Sequence, residues 1–392
     1  MKEVIDDQTP LPAQPGSGGD LLSKQVMTPM KAARFYDNKD IRIEDIDEPT
    51  AGAGEVLIKV AWCGICGTDL HEYLDGPIFC PTHSTPHPIS GETAPVTMGH
   101  EFSGVVEALG EGITDLEVGD HVVVEPYIVR DDVETGPGNK DYHLSKDMNF
   151  IGLAGHGGGL AEKIAVKRRW VHKISKDIPL DEAALIEPLT VGYHAVERAG
   201  GVKDGDVALI GGAGPIGLLT AAVLKAQGAT VIMSELSSLR RQKALDAGVA
   251  DYALSPAEVD VVEEVKKLTN GRGADVAFEC TSVNAVLDTL FDAIKPQGVI
   301  VVVSIWGKPA QLDMQKLVLK EVDLRGTIAY VNNHPDTIKL VESGKINLKP
   351  FITGKIALEN LIDEGFDTLI NRNETAVKIL VTTDPQRLDN AH

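Results

Sequence analysis

Cysteine and positive charge are both scarce in this 392-residue sequence, and no apolar run reaches the length of a membrane span. Four cysteines occur, Cys63, Cys66, Cys80 and Cys280. So few in so long a chain argue against a disulfide framework and point to a reducing, cytoplasmic setting. Lysine and arginine number 37 against 58 aspartates and glutamates, a net charge of −21. Such a chain lacks the basic face that nucleic acid or anionic lipid would require. A span would need about 18 consecutive apolar residues, and none is present. Residues 1–29 hold Asp6, Asp7, Pro10, Pro12, Pro15 and a Gly-Ser-Gly-Gly run, without arginine or an apolar centre. That excludes a secretory signal, fits a mitochondrial presequence badly, and predicts a flexible extension.

What is present suggests two or three domains at roughly 150 residues each, with 43% hydrophobic residues available for their cores. From Met30 to about Arg169 short strands alternate with glycine and proline turns; Val56–Val60, Gly104–Leu109 and His121–Val124 read as strands. Histidines, cysteines and carboxylates gather in the connections. From about Leu185 the texture becomes strand–helix–strand. Val207–Ile210, Thr230–Ser234, Asp275–Phe278 and Val299–Val303 are the expected strands, and Leu324–Ala329 a last one. This alternation predicts an α/β fold with a doubly wound parallel sheet.

Gly212, Gly214 and Gly217 form G-x-G-x-x-G, with Pro215 and Ile216 inside it, between a strand and the helix-forming run Leu218–Ala226. The glycines allow a tight turn, backbone approach to a pyrophosphate and close helix–strand packing, and the helix start offers free N–H groups. Glu235 ends the next strand, where an acidic residue holds ribose hydroxyls and repels a 2′-phosphate. NAD is therefore expected over NADP. Arg240 is expected near the adenosine, with Arg241 the competing residue.

The segment Cys63-Gly64-Ile65-Cys66-Gly67-Thr68-Asp69-Leu70-His71 carries the densest chemistry. A C-x-x-C alone fits a redox pair or half a zinc site. No second C-x-x-C exists, so a mixed site with the imidazole and carboxylate of Gly99-His100-Glu101, and with Glu187, is the better reading.

These segments resemble the zinc-dependent medium-chain alcohol and polyol dehydrogenases, and within them most resemble the (R,R)-2,3-butanediol dehydrogenases. The resemblance covers residues 30–383. It rests on Trp62 through Tyr73, Gly76-Pro77-Ile78-Phe79, Glu92 through Gly104, Val118 through Pro126, Ile186-Glu187-Pro188-Leu189 and Val303-Ser304-Ile305-Trp306. It implies a GroES-like mostly-β catalytic domain over 30–186, a Rossmann domain over 187–328, and a return to the catalytic domain over 329–392. It implies one catalytic zinc on Cys66 and His100, with Glu101 and Glu187 as carboxylate ligands or as groups that exchange with water there. Cys63 becomes a buried hydrophobe, and Asp69 orients His100. Thr68 relays a proton through the cofactor ribose to His71. By position rather than by resemblance, Glu279-Cys280-Thr281 and Ser304-Ile305-Trp306 each follow a strand of the parallel sheet and are expected to line the nicotinamide site. His83, His87, His143 and His156 match no motif and are bystanders. The expected reaction is hydride transfer between NAD and a vicinal diol or hydroxyketone, 2,3-butanediol and acetoin first. A sorbitol or xylitol dehydrogenase is the alternative, and a non-catalytic cofactor-binding protein a remote one. A homodimer or homotetramer is expected.

One departure from the wider family stands out. A second, structural zinc on four close cysteines should follow Pro126, yet no cysteine lies between Cys80 and Cys280. A thiolate structural zinc is excluded, and one zinc per chain is expected. Asp131, Asp132, Glu134 and Asp141 read as a solvated acidic loop.

Overall fold

The computed structural model describes residues 28–389. The flexible extension expected over 1–29 falls almost wholly outside them; the first strand begins at Pro29.

Two sheets organise the chain. The first is mostly antiparallel, in the order Val171–Lys173, His121–Val124, Glu101–Leu109, Glu55–Gly64, Lys378–Thr382, Ile352–Ala357, with Lys163–Lys167 also on Glu55–Gly64. The C-terminal strand pairs Leu380 with Gly64 and Val381 with Cys63, so the last segment is built into this sheet beside the C-x-x-C. The second sheet has six strands, all parallel, in the order Tyr252–Leu254, Thr230–Ser234, Val207–Gly211, Ala274–Glu279, Ile294–Val302, Asp323–Gly326. Numbered in chain order this is 3-2-1-4-5-6, the doubly wound arrangement whose ligand crevice opens between strands 1 and 4.

The central strands Val207–Gly211 and Ala274–Glu279 are buried along their whole length. Helices cover both faces, so these strands read as unbroken apolar runs. The following helix runs Pro215–Ala226, three residues longer at its start than its apolar run suggests. Pro215 suits a first helical turn because its missing N–H has no partner there anyway. The last strand of the parallel sheet is shorter than expected. It ends at Gly326, and Ala329 adopts a left-handed φ of 48° that no strand continues through. The two sheets share one core cluster, in which Trp62, Ile186 and Leu380 pack with Ile210 and Val301.

Candidate active site

Cys66, His100 and Glu101 bring one ligand atom each within 4.8 Å of one another. Three local features produce this. Cys66 lies two residues past the strand Glu55–Gly64 and caps the helix Gly67–Asp75. His100 follows Gly99, whose φ of 103° and whose hypothetical Cβ, 2.5 Å from the Leu160 nitrogen, admit no side chain. Glu101 opens the neighbouring strand and pairs in register with Gly64.

Asp69 is fully buried and joins two of these parts. Its Oδ2 accepts from the Cys66 N–H at 2.9 Å, and its Oδ1 lies 3.5 Å from His100 Nδ1. Burial works against charge on His100, but the Asp69 carboxylate and the Cys66 sulfur outweigh it and hold the imidazole well above its usual range. Glu101 is bound at both oxygens by the Lys378 ammonium, 2.8 Å from each. The thiols of Cys63, Cys80 and Cys280 are pushed up by burial. Cys63 is fully buried in the core, as the sequence reading expects.

Glu187 stands outside the three-residue group. It lies in the first turn of the helix Ile186–Arg198, and its Oε1 accepts from the Tyr330 hydroxyl at 2.6 Å. Burial, and next the charge of Glu101, push its carboxyl up to about 7. Tyr330 is itself held by Tyr127, whose hydroxyl donates to the Tyr330 carbonyl at 2.5 Å.

Thr68 and His71 lie three residues apart on the helix Gly67–Asp75, which puts them on one face. Thr68 is half-buried; the His71 side chain is 71% exposed, with Nδ1 3.8 Å from Asp75. Next to His71, Glu72 is buried and shapes the loop after this helix, accepting from the N–H groups of Ile78 and Phe79 at 2.9 and 2.5 Å.

The dinucleotide turn has the geometry its glycines require. Gly212 has a φ of 102°, a Cβ on Gly217 would fall 2.1 Å from the Gly212 oxygen, and a Cβ on Gly214 would meet nothing within 4 Å among the described residues. The space beside Gly214 and the helix start beyond it fit a pyrophosphate. Glu235 is tied to the turn through the Ala213 N–H at 3.1 Å. Of the two arginines, Arg240 faces the Glu235 carboxylate at 3.7 Å, whereas Arg241 donates to the backbone carbonyls of Glu235 and Leu236. Ser304 bonds to the buried Glu279, which also accepts from Thr281 N–H at 2.6 Å and Trp306 Nε1 at 3.0 Å. Glu279 thereby clamps two strand ends together at the crevice. Ile305 is 75% exposed beside it.

Lys378 and Tyr330 are the partners that sequence reasoning missed. A lysine inside the apolar run Val377 to Val381 is the one available signal. The loop lacking cysteines is held within the chain: Arg169 donates to the Thr135 carbonyl at 2.8 Å and Asn332 to the Asn139 carbonyl at 2.6 Å. Asp131 is 91% exposed and paired with Lys167.

A β-domain that presents a cysteine sulfur, an imidazole and a carboxylate, joined to a dinucleotide-binding sheet, defines the class of zinc-dependent dehydrogenases. The alcohol dehydrogenase GroES-like domain family matches residues 52–176, and the zinc-binding dehydrogenase family matches 215–343. The (R,R)-butanediol dehydrogenase of Neisseria gonorrhoeae is 70% identical over 352 residues, covering 90% of this chain and 99% of that one. The crystal structure of 2R,3R-butanediol dehydrogenase from Bacillus subtilis superposes with a TM-score of 0.85 at 45% identity, covering 91% of this chain and 100% of that one. A sorbitol dehydrogenase of Bacillus subtilis is 33% identical, covering 90% and 97% of the two chains. The chain belongs to the zinc-dependent medium-chain alcohol dehydrogenase family, and it is an oxidoreductase that works with zinc and a nicotinamide dinucleotide. Among the described residues no helix is long and apolar enough to cross a membrane.

Proposed function

We propose that this enzyme interconverts 2,3-butanediol and acetoin with NAD, using one catalytic zinc and no cysteine-bound second zinc. The observation that carries the reading is the Cys66, His100 and Glu101 group, within 4.8 Å, in a chain 70% identical to an (R,R)-butanediol dehydrogenase.

Cys66 and His100 would hold the metal, with Glu101, shared with Lys378, and Glu187 as carboxylate ligands or as groups that exchange with water there; this donor set suits zinc. Bound zinc supplies the Lewis acid that makes an alcohol acidic near neutral pH, and bound NAD accepts the hydride. The chain's own residues handle the proton. Thr68 offers a hydroxyl two residues beyond Cys66, and His71, on the same helical face and open to solvent, takes the proton onward. Glu235 supports NAD over NADP because a 2′-phosphate would meet its carboxylate. Gly212, Gly214, Pro215, Ile216 and Gly217 form the pyrophosphate cradle, with Arg240, Ser304 and Ile305 beside the rest of the cofactor.

The scarcity of cysteine, four in 392 residues, supports a reducing, cytoplasmic setting. A homodimer or homotetramer is supported by the strand Asp323–Gly326, which ends its sheet, and by Leu319 nearby, 81% exposed.

Initial rates with each stereoisomer of 2,3-butanediol, with acetoin, and with sorbitol and xylitol test the substrate. The largest kcat/KM is expected for the (2R,3R) diol. A larger value for sorbitol or xylitol would transfer the chain to the polyol enzymes, and binding of NADH without turnover of any of them would make it non-catalytic.

A further inference from the structure

Away from Cys66, three groups from distant parts of the chain converge on one point. Glu125 follows the strand His121–Val124, His172 lies on Val171–Lys173 beside it, and His334 begins the helix His334–Glu342. Their ligand atoms all lie within 4.8 Å of one another. Glu125 Oε2 is 2.9 Å from His172 Nε2 and 4.0 Å from His334 Nδ1. We propose that Glu125, His172 and His334 form a second divalent-cation site of carboxylate–imidazole type, taking zinc or a metal of similar chemistry.

The decisive observation is His334. Its side chain is fully buried, and neither ring nitrogen has a hydrogen-bond partner among the described residues. Buried polar atoms are nearly always satisfied, and an exception asks for a specific explanation such as a bound ion. Glu125 is also fully buried, while His172 is 16% exposed. A tetrahedral zinc with bonds of about 2.0–2.1 Å separates its ligand atoms by roughly 3.3 Å. The two carboxylate–imidazole spacings, 2.9 and 4.0 Å, bracket that value, and the His172 and His334 rings, near-parallel with centroids 5.2 Å apart, would turn to aim both nitrogens at one ion. Two imidazoles and one carboxylate are three protein ligands that zinc commonly takes, with a fourth position left for water.

Glu125 is shared with two other groups. Its Oε1 accepts from the Tyr142 hydroxyl, which leaves Oε2 facing the imidazoles. Arg169 is the competing charge, with Nη1 3.3 Å from Oε2. It does not depend on that contact. It also donates to the Thr135 carbonyl at 2.8 Å and stacks over the Trp170 ring at 4.6 Å. Its nearness makes the site weaker than the Cys66 centre. A filled site would pin the two strands to the segment that carries Tyr330, and would give the cysteine-free lobe a metal anchor made without sulfur. It adds one ion to the single zinc expected from the cysteine count.

Cobalt(II) titration of the metal-stripped full-length chain separates the two sites, because only a thiolate ligand gives a near-ultraviolet charge-transfer band. Wild type should bind two cobalt ions per chain, one with that band and one showing d–d absorption alone. Cys66→Ser should bind one ion without the band. His172→Gln and His334→Phe should each bind one ion with it; His172→Gln, on a partly exposed strand, guards against a folding failure at the buried His334. A single ion in wild type, or two ions retained in both histidine variants, would overturn the proposal. Loss of the thiolate band from wild type would instead count against the Cys66 centre.

Discussion

Lys378 sets its ammonium 2.8 Å from each carboxylate oxygen of Glu101, and both side chains are buried. Burial opposes the lysine's charge, but Glu101 raises its pKa above the usual lysine value. The pair joins the C-terminal strand to the candidate metal group. Lys378→Met should therefore lower stability by about 3–5 kcal/mol, the cost of stranding a buried charge. The loss in Tm should be larger in chelated protein, where no other cation faces Glu101, and smaller for Lys378→Arg. Equal Tm values for wild type and Lys378→Met in chelator would contradict this.

Thr68→Val removes the hydroxyl while keeping the volume. The expected result is a fall in kcat of about 10²–10⁴, with zinc content and NADH affinity unchanged. Full activity in Thr68→Val would remove the proton relay from the account.

Glu235→Gln keeps an acceptor for the Ala213 N–H and discards the charge. The ratio of kcat/KM for NADP over NAD should rise by about tenfold, equivalent to ~1.4 kcal/mol. An unchanged ratio would show that Glu235 does not read the ribose.

Acid should destabilise the protein through His143. Burial, and next the neighbouring His194, push its pKa down to about 4, against 6.5 for the free side chain. Between these values the unfolded chain binds a proton that the folded chain does not, so stability falls as pH drops from 6.5 towards 4. Tm measured across that window should decline less in His143→Gln than in wild type. Parallel curves would refute the assignment.

The parts of the site that are local are legible in the sequence. The glycine turn, Glu235, and the candidate ligands Cys66, His100 and Glu101 sit in short motifs whose spacing reflects one strand end or one helix start. The strand Thr230–Ser234 is legible to the residue because its apolar run is bounded by turns. The strand Ile294–Val302 begins well before the expected Val299, since Lys295, Pro296 and Gln297 resemble a turn. Pairings across the chain are not legible. Lys378 meets Glu101, and Tyr330 meets Glu187, only because the C-terminal segment returns to the first sheet. His172 and His334 likewise belong to no motif; their meeting at Glu125 depends wholly on tertiary packing.

Zinc titration of chelator-stripped protein, followed as NADH formation from (2R,3R)-butanediol, tests the central claim most directly. The stripped enzyme should be inactive, and activity should return with filling of the Cys66 site, faster on this diol than on sorbitol. Turnover that survives complete removal of zinc, or restored rates that favour sorbitol, would contradict the account.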